Sequence, residues 1–389
     1  MLLLLASYFL ATLAAALPAH AQNAGYSVEW KTQVGCLEWG PGCWVPGFRG
    51  TDSSPSFYDW DGTEDAVAIG SYDSNVYGVS ASDGRVLFKA NGSGGEGSPS
   101  VGPDSIFSWG VLTGTTLDCL DKKTGERRWA WKPPCKGEIA TSGPFDSEYD
   151  IIYAGTTETH NFYAVNASNG ATIWRTKTNG EMWGTLGALV VKDKDMVCVG
   201  AGGNAIPSLN CSAQLVCMKR SSGEIVWQAR AGKQIQSRAS YSSKLSTIYV
   251  GDYDGCLYAF DAENGNLKFK VCNGQIIEGS SLVVRDDIVV FSSYDGSVHA
   301  ISAHNGSTLF TTALGKGAIA STPRLHPTDG TIVVGGQDGL YVLDTFSGKI
   351  LWSFATHKLV GSSPAISADG QRVAFGCEDG FLYMLKRTL

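Results

Sequence analysis

The sequence is short of charge, and of positive charge most of all. Only 17% of its 389 residues are Asp, Glu, Lys or Arg, with 30 basic side chains against 37 acidic ones and a net charge of −7. No basic stripe is available to displace the counterions of a nucleic-acid backbone, which excludes a nucleic-acid partner. Beyond about the first twenty residues no apolar run is long enough to span a bilayer. No two cysteines are adjacent, no C-x-x-C occurs, and the histidines at 20, 160, 299, 304, 326 and 357 are not at metal-ligand spacing. No H-E-x-x-H, nucleophile elbow or phosphate-binding glycine loop is found, so the familiar hydrolase and nucleotide-binding classes have no foothold.

What is present points to secretion. The first residues, MLLLLASYFLATLAAALPAHAQ, form an apolar run ending in Ala19-His20-Ala21, a small-residue cleavage pattern. It predicts a signal peptide over 1–21 and one mature domain over 22–389, with no membrane span after cleavage. The opposing reading is an uncleaved anchor, and the positively charged start of a signal peptide is missing. The expected location is extracellular, the secretory-pathway lumen, or a bacterial periplasm. Ten cysteines then favour disulfides. Cys256 and Cys272 lie on two arms of one hairpin, roughly diagonal to one another. Cys198 and Cys217 lie on strands flanking an insertion, and Cys36 and Cys43 bracket a Gly-Pro-rich loop. Sequons at Asn91, Asn166, Asn210 and Asn305 fall where turns or loops are expected, and would accept glycans in a eukaryotic secretory route.

The 48 glycines are ordered. In SASDGRVLF, DKKTGERRW, NASNGATIW, KRSSGEIVW, DAENGNLKF, SAHNGSTLF and DTFSGKILW, a Gly is followed four residues later by Phe or Trp. The glycines are at 84, 125, 170, 223, 265, 306 and 348, spaced by 41, 45, 53, 42, 41 and 42 residues. A period near 40 with about four short strands per unit is the mark of propeller blades. Each unit runs from a small-residue strand to a β-branched one, a tight Asp-Gly type of turn, and a hairpin carrying the aromatic. The last unit stops after three strands, whereas the mature N-terminus offers YSVEWKTQ with Trp30 in the aromatic position. The expected fold is all-β: an eight-bladed propeller whose N-terminal strand completes the last blade and closes the ring. An open solenoid would leave that last strand unpaired.

The A-x-(S/N)-G-x-x-x-W pattern resembles the tryptophan-docking repeat of pyrroloquinoline-quinone-type (PQQ-like) β-propellers, over nearly all the mature chain. The resemblance implies eight blades. It also implies a fold shared by quinoprotein dehydrogenases, a bacterial barrel-assembly lipoprotein and lumenal sensors, so the fold does not fix the function. The dehydrogenases use a vicinal Cys-Cys pair, a Trp floor and acidic calcium ligands. This chain has no such pair and lacks the long inserts that build the cofactor chamber.

Four places remain as candidates. Aligning the inner-strand starts puts Asp52, Glu96, Trp183, Gln236 and Glu278 at the channel mouth, with Arg238 and Arg324 beside them. They read either as a site for a cation or polar ligand or as a solvated funnel. Asp59, Asp61 and Asp65 in DWDGTED resemble part of a calcium loop, against a plain Asp/Gly turn. The loop with Trp39, Trp44, Phe48 and Arg49, and the insertion AGGNAIPSLNCSA, suit a protein or glycan partner, or simply cover the mouth. The functional expectation is a secreted, non-catalytic binding scaffold. No cofactor is expected, although calcium is open and PQQ is not expected. The alternative is a PQQ-dependent oxidoreductase with a degenerate site.

Overall fold

The computed structural model describes residues 25–35, 51–91, 97–109, 116–134, 138–139, 143–157, 159–180, 182, 187–202, 213–315, 317–356 and 358–388. Apart from one short turn of 3-10 helix at Lys192–Lys194, the regular elements among them are strands. They form eight four-stranded antiparallel sheets. Seven are contiguous in sequence: blade one over 56–91, two over 100–131, three over 145–177, four over 189–230, five over 240–272, six over 282–313 and seven over 324–355.

Blade eight is shared. It takes Ala365–Ile366, Arg372–Gly376 and Phe381–Thr388 from the end of the chain, and Gly25–Gln33 from its beginning as the outer strand. The register runs from Gly25 opposite Thr388 to Gln33 opposite Phe381. Arg372 spans the last strand to hold Glu29 with two hydrogen bonds, Nε at 2.7 Å and Nη2 at 3.0 Å. Their attraction lowers the Glu29 carboxyl below its ordinary range. Blade-eight closure by the N-terminal strand is therefore as the sequence predicts.

Burial explains the pattern within a blade. Second strands such as Thr247–Gly251, Ile288–Ser292 and Ile332–Gly336 are buried at every position, since neighbouring blades cover both faces. This is why they read as unbroken β-branched runs rather than alternating ones. Outer strands face water on one side and alternate: in Thr172–Lys177 the inward residue that is fully buried is Trp174.

The Gly-to-aromatic spacing has two physical causes. Gly265 turns the chain with φ of +73°, a region that penalises a side chain, and a Cβ there would stand 2.6 Å from the Trp227 ring of blade four. Each aromatic thus lies flat on the glycine turn of the next blade. The tryptophans add a hydrogen bond: Nε1 of Trp30, Trp129, Trp174 and Trp227 donates to the carbonyl of Ala81, Ala167, Arg220 and Ala262 respectively, at 2.8–3.1 Å. Trp352 meets the shared blade, where no such turn exists because the chain ends lie there. It packs against Tyr26 instead, with ring centroids 5.2 Å apart.

Among the described residues two disulfides form, Cys198–Cys217 within blade four and Cys256–Cys272 within blade five. Cys256 and Cys272 are directly opposite in register, not diagonal, because the bulge that shifts the hairpin lies nearer its turn, between Ala259 and Phe260. Cross-strand disulfides of this kind belong to an oxidising compartment. Cys119 and Cys377 are buried thiols. The Cys36–Cys43 pairing lies outside the described residues.

Candidate functional site

The first strand of each blade lines the central channel, and its sequence sets what the channel offers. The entry of that strand carries small hydroxyl residues, and these hydroxyls lace successive blades together. The backbone N–H of Ser54 donates to Ser98 Oγ, that of Arg238 to Ser280 Oγ, that of Ser280 to Thr322 Oγ1, and that of Thr322 to Ser363 Oγ, at 2.9–3.1 Å. The turn from blade eight back to blade one repeats it, from Ser363 N–H to Ser54 Oγ at 3.0 Å. A second layer ties each inner strand to its own blade: Ser53, Ser237, Ser321 and Ser362 accept from the N–H of Gly70, Gly251, Gly335 and Gly376. A short hydroxyl allows the close approach of backbones that a narrow channel demands.

At the mouth, one residue before this layer, polar side chains meet tyrosines from the tight turns between second and third strands. Tyr72 donates to Asp52 Oδ2 at 3.0 Å and Tyr253 to Gln236 Oε1 at 2.6 Å, while Tyr294 donates to Glu278 Oε2. Blade seven varies the theme with Gln337 donating to the Ala318 carbonyl. Blade eight places Glu378 at the matching turn, where burial raises its carboxyl pKa. Sequence reading found Asp52, Gln236 and Glu278 but missed their partners. The available signal was the Tyr-Asp pair recurring at 72, 253 and 294 in the turns. Asp52 and Glu278 each accept a hydrogen bond from a tyrosine of their own blade. Glu96 and Trp183 lie outside the described residues.

Deeper along the inner strands is a cavity of about 660 Å³. Its lining is mostly Ser, Pro and small apolar residues, with Arg238 of blade five and Arg324 of blade seven as its charged members. Burial lowers the Arg238 pKa. Arg324 keeps an exposed side chain, and desolvation by the surrounding protein, aided by the charge of Arg238, lowers its pKa to about 10.

The other candidates separate. In DWDGTED, Asp59 Oδ1 accepts from Gly62 N–H at 2.6 Å. Asp61 Oδ1 accepts from the N–H of Thr63 and Glu64 and from the Thr63 hydroxyl, at 2.8–3.0 Å. Asp65 begins the next strand. The first two carboxylates therefore cap the turn, and among the described residues no three His, Cys, Asp or Glu side chains stand together as a metal site. Among the described residues no donor set is seen that would hold calcium beneath a quinone, and the sequence has no vicinal cysteines.

Of the sequons, Asn91 ends an outer strand and is exposed, and Asn305 sits in an exposed turn. Asn166 ends its strand half-buried, with its amide donating to Asp150. Asn210 lies outside the described residues, as do Trp39, Trp44, Phe48, Arg49 and most of the blade-four insertion.

One buried feature escaped sequence reading. Arg220 is 1% exposed and joins blades three and four through Asp146 at 2.9 Å, Glu148 at 3.0 Å and Asp195 at 3.2 Å, with Tyr149 over its guanidinium. These partners come from different blades, so no local motif announces them.

Comparison with known proteins agrees with this geometry. The crystal structure of BamB from Moraxella catarrhalis superposes with a TM-score of 0.69 at 18% identity, over 93% of this chain and 98% of that one. The computationally designed Ika8 protein gives 0.70 at 16% identity, over 87% of this chain and 96% of its own. At such identities these likenesses show the fold alone. A curated relative, the beta-alanine-activating enzyme of Drosophila melanogaster, is 25% identical over 174 residues, 44% of this chain. The match spans only 16% of that enzyme. The model of the PQQ-like repeat family described as "Outer membrane protein assembly factor BamB" matches residues 113–212, 202–275 and 273–388, and the chain belongs to that family.

Proposed function

We propose that this protein is a secreted, non-catalytic propeller that holds a protein partner on its channel-mouth face. The observation that carries the reading is the set of mouth pairs Tyr72–Asp52, Tyr253–Gln236 and Tyr294–Glu278. They fix polar groups in the turns around the rim, and tyrosine beside polar groups is the composition of binding surfaces. The family description, an assembly factor, supports a protein partner over a glycan. The two disulfides support secretion.

Photo-crosslinking tests this on the intact, disulfide-bonded protein. A photoreactive residue in place of Asp254, in a mouth turn, is expected to give discrete protein adducts from secretory fluid. The same residue in place of Asn264, in a turn on the opposite face, is expected to give none. Equal labelling at both positions would refute the reading. Dye-linked alcohol oxidation after mixing with quinone and calcium tests the oxidoreductase alternative, and turnover would establish it.

A further inference from the structure

We propose that the channel lumen binds a small dianion, phosphate- or carboxylate-bearing, between Arg238 and Arg324. The inference concerns the lumen and is independent of the mouth-face partner.

The argument begins with position. At the point in the inner strand where blade five has Arg238, other blades have Ser54, Ser98, Ser280, Thr322 and Ser363, the hydroxyls that lace the ring. Where blade seven has Arg324, blades one, two and five have Ser56, Ser100 and Ser240. Each of these serines also makes a hydrogen bond to the neighbouring blade. The first place thus carries a hydroxyl in five other blades and the second in three, with Leu282 and Ala365 there in blades six and eight, and an arginine makes no such bond.

The surroundings do not explain the exchange. Among the described residues neither guanidinium has an ion-pair partner or a side-chain hydrogen bond, and the cavity lining contains no Asp or Glu. Elsewhere the less exposed arginines, such as Arg220 with Asp146 and Arg372 with Glu29, are matched to a carboxylate. Two positive charges that line one cavity and act on one another, Arg238 half-buried and Arg324 exposed, repel unless something negative enters between them.

The cavity suits such an entrant. About 660 Å³ is the size of a metabolite site. Guanidinium forks bind paired anionic oxygens bidentately, and the hydroxyls of Ser240 and Ser281, 2.6 Å apart, make the same wall of the cavity polar. Phosphate esters and dicarboxylates share this chemistry.

Melting of the full, disulfide-intact chain is followed with sodium phosphate or disodium succinate, against sodium chloride at equal ionic strength. A ligand that binds only the folded state raises the midpoint. The proposal expects a rise above chloride with at least one of the two anions, and which one responds identifies the group. Arg324→Ala and Arg238→Ser are each expected to weaken binding tenfold or more by calorimetry. Without anion both variants should melt no lower than wild type, because a repulsion is removed. If Arg238→Ser fails to fold, Arg324→Ala decides alone. A midpoint no higher than in chloride with either anion would overturn the proposal, and so would a wild-type response in the variants. A rise produced only by a poly-glutamate peptide would also overturn it, since the lumen would then take a polypeptide segment.

Discussion

The backbone N–H of Ser363, in the last blade, donates to Ser54 Oγ, in the first, across a sequence separation of 309 residues. It is the same bond that links blades five to six, six to seven and seven to eight, so the ring closes with the contact it uses elsewhere. Ser54→Ala leaves a buried N–H without an acceptor, for a cost of about 1–3 kcal/mol. Equilibrium urea unfolding is expected to show that loss, and an unchanged free energy would mean the hydroxyl layer is incidental.

Gly265 and Gly274 separate backbone strain from aromatic docking. Both have positive φ, +73° and +77°, but a Cβ at 265 meets Trp227 at 2.6 Å whereas one at 274 meets nothing within 4 Å. Gly274→Ala should cost about 1 kcal/mol, the conformational penalty alone. Gly265→Ala should cost roughly 2–4 kcal/mol, because the tryptophan must also move. Equal losses in the two variants would show that the aromatic does not rest on the turn.

Thiol mapping checks the redox state. In the native protein at pH 8, iodoacetamide should leave Cys119 and Cys377 unmodified: both are buried, and burial pushes the Cys377 thiol up to about 12. Denaturant without reductant should expose these two, and only reductant should release Cys198, Cys217, Cys256 and Cys272. Modification of Cys256 or Cys272 without reductant would refute that bridge.

The sequence carried the architecture because the aromatic, its glycine and the turn sit within five residues and recur in seven of the eight blades. Trp30 could be assigned to the last blade for the same reason: the final unit lacked an aromatic, and the N-terminus supplied one. What joins the blades was harder to read. Ser54 and Ser98 look like filler in a Ser-Pro strand, since the N–H they serve belongs to another blade. Tyr72 looked like part of a turn, and only the fold aims its hydroxyl at Asp52. Arg220 draws partners from 25 and 74 residues away, a separation on which local spacing is silent.

Acid should loosen the junction of blades seven and eight. Burial opposes ionisation of Asp329, yet hydrogen bonds from His326 and Thr331 outweigh it and hold the carboxyl at about 2, below its ordinary 3.8. Arg387 of the last strand pairs with it at 2.9 Å. A depressed carboxyl contributes stability that is full above its ordinary value and lost as pH falls toward 2. About 2 kcal/mol is at stake, from the conversion of pKa shift to free energy. The melting midpoint should fall between pH 4 and pH 2. Asp329→Asn should start lower at pH 7 and fall less, whereas a parallel fall would exclude this carboxylate.

The closed ring is tested most directly by removing its closing strand. Deleting Gly25–Gln33 takes Glu29 from Arg372, Trp30 from blade one and Tyr26 from Trp352, and bares the edge of Phe381–Thr388. Calorimetry should then show a midpoint lower by roughly ten degrees or more, or no cooperative transition at all. A truncated chain that melts at the wild-type temperature with wild-type cooperativity would contradict the shared blade and the eightfold closure built on it.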